Sequence, residues 1–388
     1  MTLPDILILT FISLLAGLIA SRMNLTAKAA EGGKQPVNAR GWALLVGSLL
    51  AIYWLQPAIP IRNFDFWLPT LSIALAGLVW AATRPTPAAL AMQDRISAAV
   101  TAGVILIIGL TRYLGPVCCL TPTRPPSTLI VGGVIALAGG AIVLVARRGA
   151  GLAGVVKAFT LALILLFILL KAEPLAQAAS AGLRFLSGQA THLAAATDIR
   201  WLGFSYIAFR LLHSLRDRLS GRLAQVSLQE FIIYIIFFPA LTAGPIDRIE
   251  RFTKDLRKPL NLGTSELLVA GERLAAGIFK KFVLADTLAI VALNDQNAAQ
   301  SAANGWLWVL LYAYALRIYF DFAGYTDIAI GLGKLVGIQL PENFERPYRK
   351  PNLTQFWNSW HITLAQWFRA YYFNPLTRAL RTSPRQVP

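Results

Sequence analysis

The sequence predicts an all-α, polytopic integral membrane protein, and three observations carry that expectation. First, 56% of the 388 residues are apolar and only 14% are charged, against about 45–50% and about 25% in soluble chains. Second, apolar runs approaching the length needed to cross a bilayer, about 20 residues, recur along the chain. Third, the basic residues lie between those runs. A net charge of +17 would mark a nucleic-acid surface on a soluble protein. Distributed between apolar runs, it is the loop bias that orients membrane proteins. Nucleic acid is set aside as a partner, and the lipid bilayer takes its place.

Taken in order, spans are expected near 4–21, 42–56, 66–83, 96–111, 128–146 and 153–170. The first has basic residues after its apolar run and none before it. That is the reverse of a signal peptide, so it reads as a permanent span. Shorter, interrupted spans are expected near 201–212, 231–245, 266–293, 305–320, 324–340 and 355–376, which makes about nine to twelve transmembrane or re-entrant helices in all. Between the two sets, 171–200 is rich in Ala and Gly, with Lys171, Glu173, Arg184 and Asp198 spread along it. It reads as an amphipathic connector lying on the membrane surface. The chain therefore divides into N-terminal transmembrane helices (1–170), a connector (171–200) and a motif-bearing core (201–388).

Loop charge gives an orientation. Arg22, Lys28, Lys34 and Arg40 outweigh Glu31 in 22–40, and Arg147, Arg148 and Lys157 stand unopposed in 147–157. Both loops are expected in the cytoplasm and the N-terminus outside. In the loop near 57–65, Arg62 and Asp65 cancel. Cys118 and Cys119 are adjacent, which suits neither a disulfide framework nor a zinc site, and they read as small apolar fillers.

There are three histidines. His192 falls in the connector and reads as solvated. His213 precedes Arg216, Asp217 and Arg218 and is expected to face headgroups or water. His361 sits among Trp357, Trp360 and Phe368. On a helix, Trp357, Leu364 and Phe368 would share its face, and an imidazole at membrane depth is costly unless it is paired or lines a wet cavity. A core histidine bonded to a carbonyl fits these residues equally well.

Upstream, Asp321, Tyr325 and Asp327 interrupt an apolar stretch, and intramembrane acids each need a partner. Arg317 stands four residues before Asp321 and could pair with it on one helix face; Asp327 must find a cation elsewhere. A polar network that merely holds helices together remains open for these acids. Pro341, Pro347 and Pro351 force irregular backbone around Glu342, Asn343 and Arg346. Pro239 and Pro245 around Gly244 predict a second break, kinked or re-entrant. Such backbone is tolerated at membrane depth only where protein or water covers it, so both breaks are expected to border one cavity.

Four blocks then carry a resemblance: FFPALTAGPIDRIERF (237–252), GIFKKFVLADTLA (277–289), YFDFAGYTDIAIGLGKLVGIQLPENFERPY (319–348) and FWNSWHITLAQWFRAYYFNPL (356–376). Over about 200–376 the sequence resembles the membrane-bound O-acyltransferases, in the bacterial branch of the alginate O-acetylation protein and the teichoic-acid D-alanyl transferase. The resemblance implies helices ringing a thinned centre, with a central tunnel where an acyl donor meets an acceptor hydroxyl. His361 matches the tunnel histidine of the family's Trp-His pair and is the candidate catalytic residue. Asp321, Tyr325, Asp327, Asn343, Trp357, Trp360 and Arg369 are the candidate substrate-binding residues, while Lys280 and Lys281 are expected to be anchors at the cytoplasmic interface. Three departures stand out. No histidine follows His361, where the family carries a second one, so the chain reads as truncated at its C-terminus. Ala370 stands where the branch has an acid, and Ala240 where it often has His.

The expected function is transfer of an acyl group, most simply acetyl, to hydroxyls of a cell-surface or exported polysaccharide or polyol. The expected location is the inner (plasma) membrane. No bound cofactor or metal is expected, since widely spaced histidines make no metal site. The acyl donor, a thioester of CoA or of a carrier protein or another donor, enters as co-substrate, and proteins of an export or acetylation complex are further expected partners. Two alternatives stay open. Broken helices and intramembrane acids also belong to a transporter or flippase for a lipid-linked or polyanionic substrate, and the short C-terminus suits an inactive scaffold of an export complex.

Overall fold

The structure, a computed structural model, describes residues 2–29, 39–84, 90–115, 120–148, 153–223, 225–260, 262–301 and 303–382. Cys118 and Cys119 lie outside the described residues. Helices follow one another as α1 (Leu3–Ala29), α2 (Ala39–Trp54), α3 (Phe64–Thr83), α4 (Met92–Leu110), α5 (Thr128–Arg148) and α6 (Ala153–Lys171). Next come α7 (Glu173–Leu186), α8 (Phe204–Leu219), α9 (Leu228–Ile235), α10 (Ile249–Arg257), α11 (Thr264–Ile278) and α12 (Asp286–Val291). The last are α13 (Asp295–Ala299), α14 (Asn304–Leu335), α15 (Leu353–Ser359), α16 (Ile362–Phe368) and α17 (Asn374–Thr382). Among the described residues the only extended pairing is a single bridge, Phe344 to Trp360, so the fold is all-α. Among the described residues, five helices are long and apolar enough to cross a membrane: Phe64–Thr83, Met92–Tyr113, Thr128–Arg147, Ala153–Lys171 and Asn304–Leu335. The protein is a polytopic membrane protein.

By contact the chain forms two units. One comprises residues 37–242 and 248–256, the other 1–36, 243–247 and 257–388; this is a different division from the one read along the sequence. In the first unit α3 is the inner helix, 72% buried, whereas Thr128–Arg147 and Ala153–Lys171 are 11% buried at a mean hydropathy of 2.6. Helices that are apolar all round and so little covered present their sides to hydrocarbon. Two acids of this unit are bound by backbone amides between or at the start of helices. Asp65 Oδ2 accepts from the Thr123 amide (2.9 Å) and hydroxyl (2.6 Å), and Asp94 accepts from the Leu228 amide at 2.9 Å. In the connector, α7 is anchored by Arg184, which pairs with Asp198 at 2.9 Å beside Ser180.

Sequence expectation and structure part company at several points here. α1 continues to Ala29, and Arg40 is not in a loop: it lies in the first turn of α2, buried, donating to the Asp255 carbonyl at 3.3 Å. His213 is 1% exposed instead of facing water, and its Nε2 lies 2.7 Å from the Tyr234 hydroxyl. Residues 216–218 predicted a wet helix end, and Arg216 is exposed there, but the face that carries His213 packs against Tyr234 of α9. The span expected over 231–245 is an eight-residue helix, α9, that stops at Ile235 ahead of Pro239.

In the second unit the two spans expected at 305–320 and 324–340 are one helix of 32 residues, α14. No proline interrupts it, and Gly324 serves a different purpose from a break. A Cβ on Gly324 would lie 2.8 Å from the Gly277 carbonyl, and one on Gly277 would lie 2.7 Å from the Gly324 carbonyl. The missing side chains let α11 and α14 pack backbone to backbone, as small residues do in membrane helices. The neighbouring approach of Gly331 to Ala270 shows that the two helices run antiparallel. Between α11 and α12 the chain continues through a π-helical turn, Phe279–Ala285. Such turns put one extra residue into a helix and re-aim its side chains.

Candidate active site

The span expected at 355–376 is broken at its most informative residue. His361 has φ 44° and ψ 53°, in the left-handed region, where non-glycine residues are uncommon but His is among the better tolerated. It therefore does not share a helix face with Trp357, Leu364 and Phe368. Instead it forms the corner between α15 and α16, and its carbonyl accepts from the Leu364 and Ala365 amides. The corner is clamped by the proline-rich loop. The Glu345 amide donates to the Ser359 carbonyl (3.0 Å) and the Ile362 amide to the Asn343 carbonyl (2.9 Å).

Asn343 is the fastener. It is fully buried; its Oδ1 accepts from the Thr363 hydroxyl at 2.6 Å and its amide nitrogen reaches Thr326 of α14 at 3.4 Å. Thr363 in turn accepts from the Ile246 amide at 3.1 Å. Segment 243–247 and the loop after Pro341 are thus fixed to the same corner. The His361 ring stands edge-on to Phe322 at 4.7 Å, and its buried Nε2 has no hydrogen-bond partner among the described residues. Beside it, Trp360 packs against Phe344 (5.1 Å), Phe356 (5.6 Å), Tyr319 and Tyr348 (6.0 Å each). The corner is held on an aromatic base.

The acids are settled on the other side of α14. Asp327, 5% exposed, accepts from Lys280 at 2.6 Å and faces Arg273 at 3.1 Å. Arg273 also binds Glu342 of the proline-rich loop. Asp321 pairs with Lys281 and not with Arg317. Lys280 and Lys281 are therefore the partners of the acids. They lie in the π turn, which gives both of these consecutive residues access to α14. A buried acid held by two cations keeps its charge only because the pairing offsets its desolvation.

Of the residues singled out from sequence, His361, Asn343 and Trp360 come together at the corner, and Tyr325 is buried in α14. Trp357 is exposed, and Arg369, also exposed, donates to Asn358 at 3.0 Å. Sequence reasoning missed Phe322, Thr326, Thr363 and Arg273. The threonines carry no signal of their own. The cations did, since two lysines in an apolar block must answer two acids in another. Among the described residues no group of three or more His, Cys, Asp or Glu could hold a metal ion.

The model of the MBOAT (membrane-bound O-acyltransferase) family matches residues 155–385. The chain is 37% identical over 194 residues to the teichoic acid D-alanyltransferase of Bacillus subtilis, covering 49% of each. It is 37% identical over 176 residues to a probable alginate O-acetylase of Pseudomonas aeruginosa, covering 44% of this chain and 33% of that one. With the peptidoglycan O-acetyltransferase of Helicobacter pylori it shares 35% over 149 residues, 38% of this chain and 28% of the relative. The matched region spans about half or less of the length of these relatives.

Proposed function

The chain belongs to the membrane-bound O-acyltransferase family, and from that premise we propose that it carries out O-acyl transfer to hydroxyls of a cell-surface or exported polysaccharide. The acetyl group is the first candidate, because two of the three compared relatives are named for O-acetyl transfer. The plasma membrane is the proposed location, a thioester or comparable acyl donor the co-substrate, and proteins of an export complex the partners. The chemistry lies in 201–388.

The observation that carries this reading is the buried His361 Nε2, which is left without a partner while the atoms around it are fixed. As the acceptor oxygen bonds to the acyl carbonyl carbon, Nε2 takes its proton. The carbon–sulfur bond of the donor then breaks, and the departing thiolate recovers that proton from the imidazolium. A positioned base is worth about 10²–10⁴-fold, and holding both substrates in register supplies much of the rest. Asn343 positions the corner, Trp360 forms its base, and Asp321 and Asp327 hold α14 against α11. Tyr325, Trp357 and Arg369 border the approach of the substrates.

The test is acetyl transfer from a labelled thioester to polysaccharide in membrane vesicles. His361→Gln keeps a hydrogen-bonding side chain but accepts no proton near neutral pH, and His361→Asn adds a residue suited to the left-handed backbone. Both are expected to lose about 10²-fold or more with unchanged membrane insertion. Near-normal transfer in either variant removes His361 as the base.

A further inference from the structure

A cavity of about 440 Å³ lies beside the aromatic base, lined by Leu316, Tyr319 and Phe320 of α14 and by Arg346, Pro347, Tyr348 and Arg349 of the proline-rich loop. The two arginines flank the 3₁₀ turn Pro347–Arg349, in which the Arg349 amide donates to the Arg346 carbonyl at 3.1 Å. Arg346 precedes the turn and Arg349 ends it, and both line the same cavity. Arg346 holds φ 47° and ψ 57°, a left-handed backbone that glycine would adopt without strain. A long cationic side chain at such a position points to a use for it.

Neither arginine forms an ion pair among the described residues, because the nearby acids are engaged elsewhere. Glu342 binds Arg273, Glu345 takes Lys350 at 3.3 Å, and Asp321 takes Lys281. The aromatic wall is fixed: the Tyr348 hydroxyl donates to the Ala315 carbonyl at 3.2 Å, and its ring meets Tyr319 edge-on at 5.5 Å. The Tyr319 hydroxyl has no hydrogen-bond partner among the described residues, which leaves a neutral donor on the same wall.

We propose that this cavity is a binding site for a phosphate-ester anion. Guanidinium forks match phosphate oxygens two at a time, and two of them lining one cavity can hold a single tetrahedral group. Leu316 and Phe320 would cover the organic part of the ester. The same chemistry serves a phospholipid headgroup or a soluble phosphate ester. The site does not depend on the acyl-transfer reading and would stand if His361 were inert.

The test is native mass spectrometry of the full chain in maltoside micelles, which contain no phosphate, with glycerol 3-phosphate as soluble probe and phosphatidylglycerol as lipid probe. At least one probe is expected to bind at one equivalent, with affinity at least tenfold weaker in the double variant Arg346→Gln/Arg349→Gln. Retention of glycerol 3-phosphate assigns a soluble ester, and retention of phosphatidylglycerol alone assigns a headgroup. Arg349→Gln, whose backbone is ordinary, guards against a folding defect and is expected to weaken binding several-fold with an unchanged melting temperature. Arg317→Gln, an exposed arginine of α14 outside the cavity, is expected to bind like the unchanged chain. If neither probe binds, if the double variant binds as well as the unchanged chain, or if Arg317→Gln loses as much, the site is overturned.

Discussion

The two irregular segments of this chain were equally visible as proline clusters, yet they are finished in opposite ways. At the first, α9 ends early and the Arg210 guanidinium, 2% exposed, donates to the carbonyls of Tyr234 (3.2 Å), Ile235 (2.9 Å) and Ala240 (2.8 Å). Gly203 comes so close to the Leu241 carbonyl that a side chain there would collide with it. The nearby His213 is bonded to Tyr234. At the second, Asn343 and Thr363 bind the backbone with equal care but leave the His361 Nε2 without a partner. Carbonyls bound by a buried guanidinium make the first break a structural joint. A fixed corner that carries a basic nitrogen with no partner among the described residues has the form of a reactive site, because buried polar groups are mostly paired.

The largest expected effect separates the two histidines. His361→Gln is expected to cut acyl transfer by about 10²-fold or more, whereas His213→Gln should leave the rate per folded molecule within about threefold and lower stability by about 1–3 kcal/mol. Equal losses of rate would abolish the contrast. Next, Arg210→Met strips three carbonyls of their donor and is expected to destabilise by at least about 3 kcal/mol, read by denaturant unfolding in micelles, with transfer per folded molecule unchanged.

A smaller effect is expected at the seam between α11 and α14. Gly324→Ala forces backbones apart and should cost about 1–3 kcal/mol, while Gly182→Ala in α7, with open space around it, should be neutral or slightly stabilising. The smallest concerns the two ion pairs. Asp321 is half exposed and Asp327 buried, so Asp321→Asn is expected to change the unfolding free energy by no more than an exposed pair's worth, about 0–1 kcal/mol. Asp327→Asn leaves Lys280 and Arg273 without their shared partner and should cost clearly more. An equal cost would mean that burial does not govern this network.

Much of this was legible in the sequence. The long spans of α3 to α6, the amphipathic α7 and the breaks at Pro239 and Pro341 all follow from apolar length and proline chemistry. So did the need of Asp327 for a distant cation. The errors share a cause: each concerned a residue whose neighbours are far away in sequence. The stretches 305–320 and 324–340 read as two spans, whereas one continuous helix sets Gly324 opposite Gly277. His213 read as wet because its own helix end is charged, and only α9 covers it. His361 read as helical because its local pattern is, whereas residues 343–345 impose the corner on it.

Composition and run length determined that the chain is helical and lives in a bilayer, because the cost of burying unpaired backbone in hydrocarbon admits almost no other solution. Proline positions determined where the helices must stop. Which acid meets which lysine, and which histidine sits at the corner of a broken helix, were decided only by tertiary packing. Helix–helix register sets those pairings through close backbone approach and hydrogen bonds between residues far apart in the chain, and no local period in a sequence encodes that register.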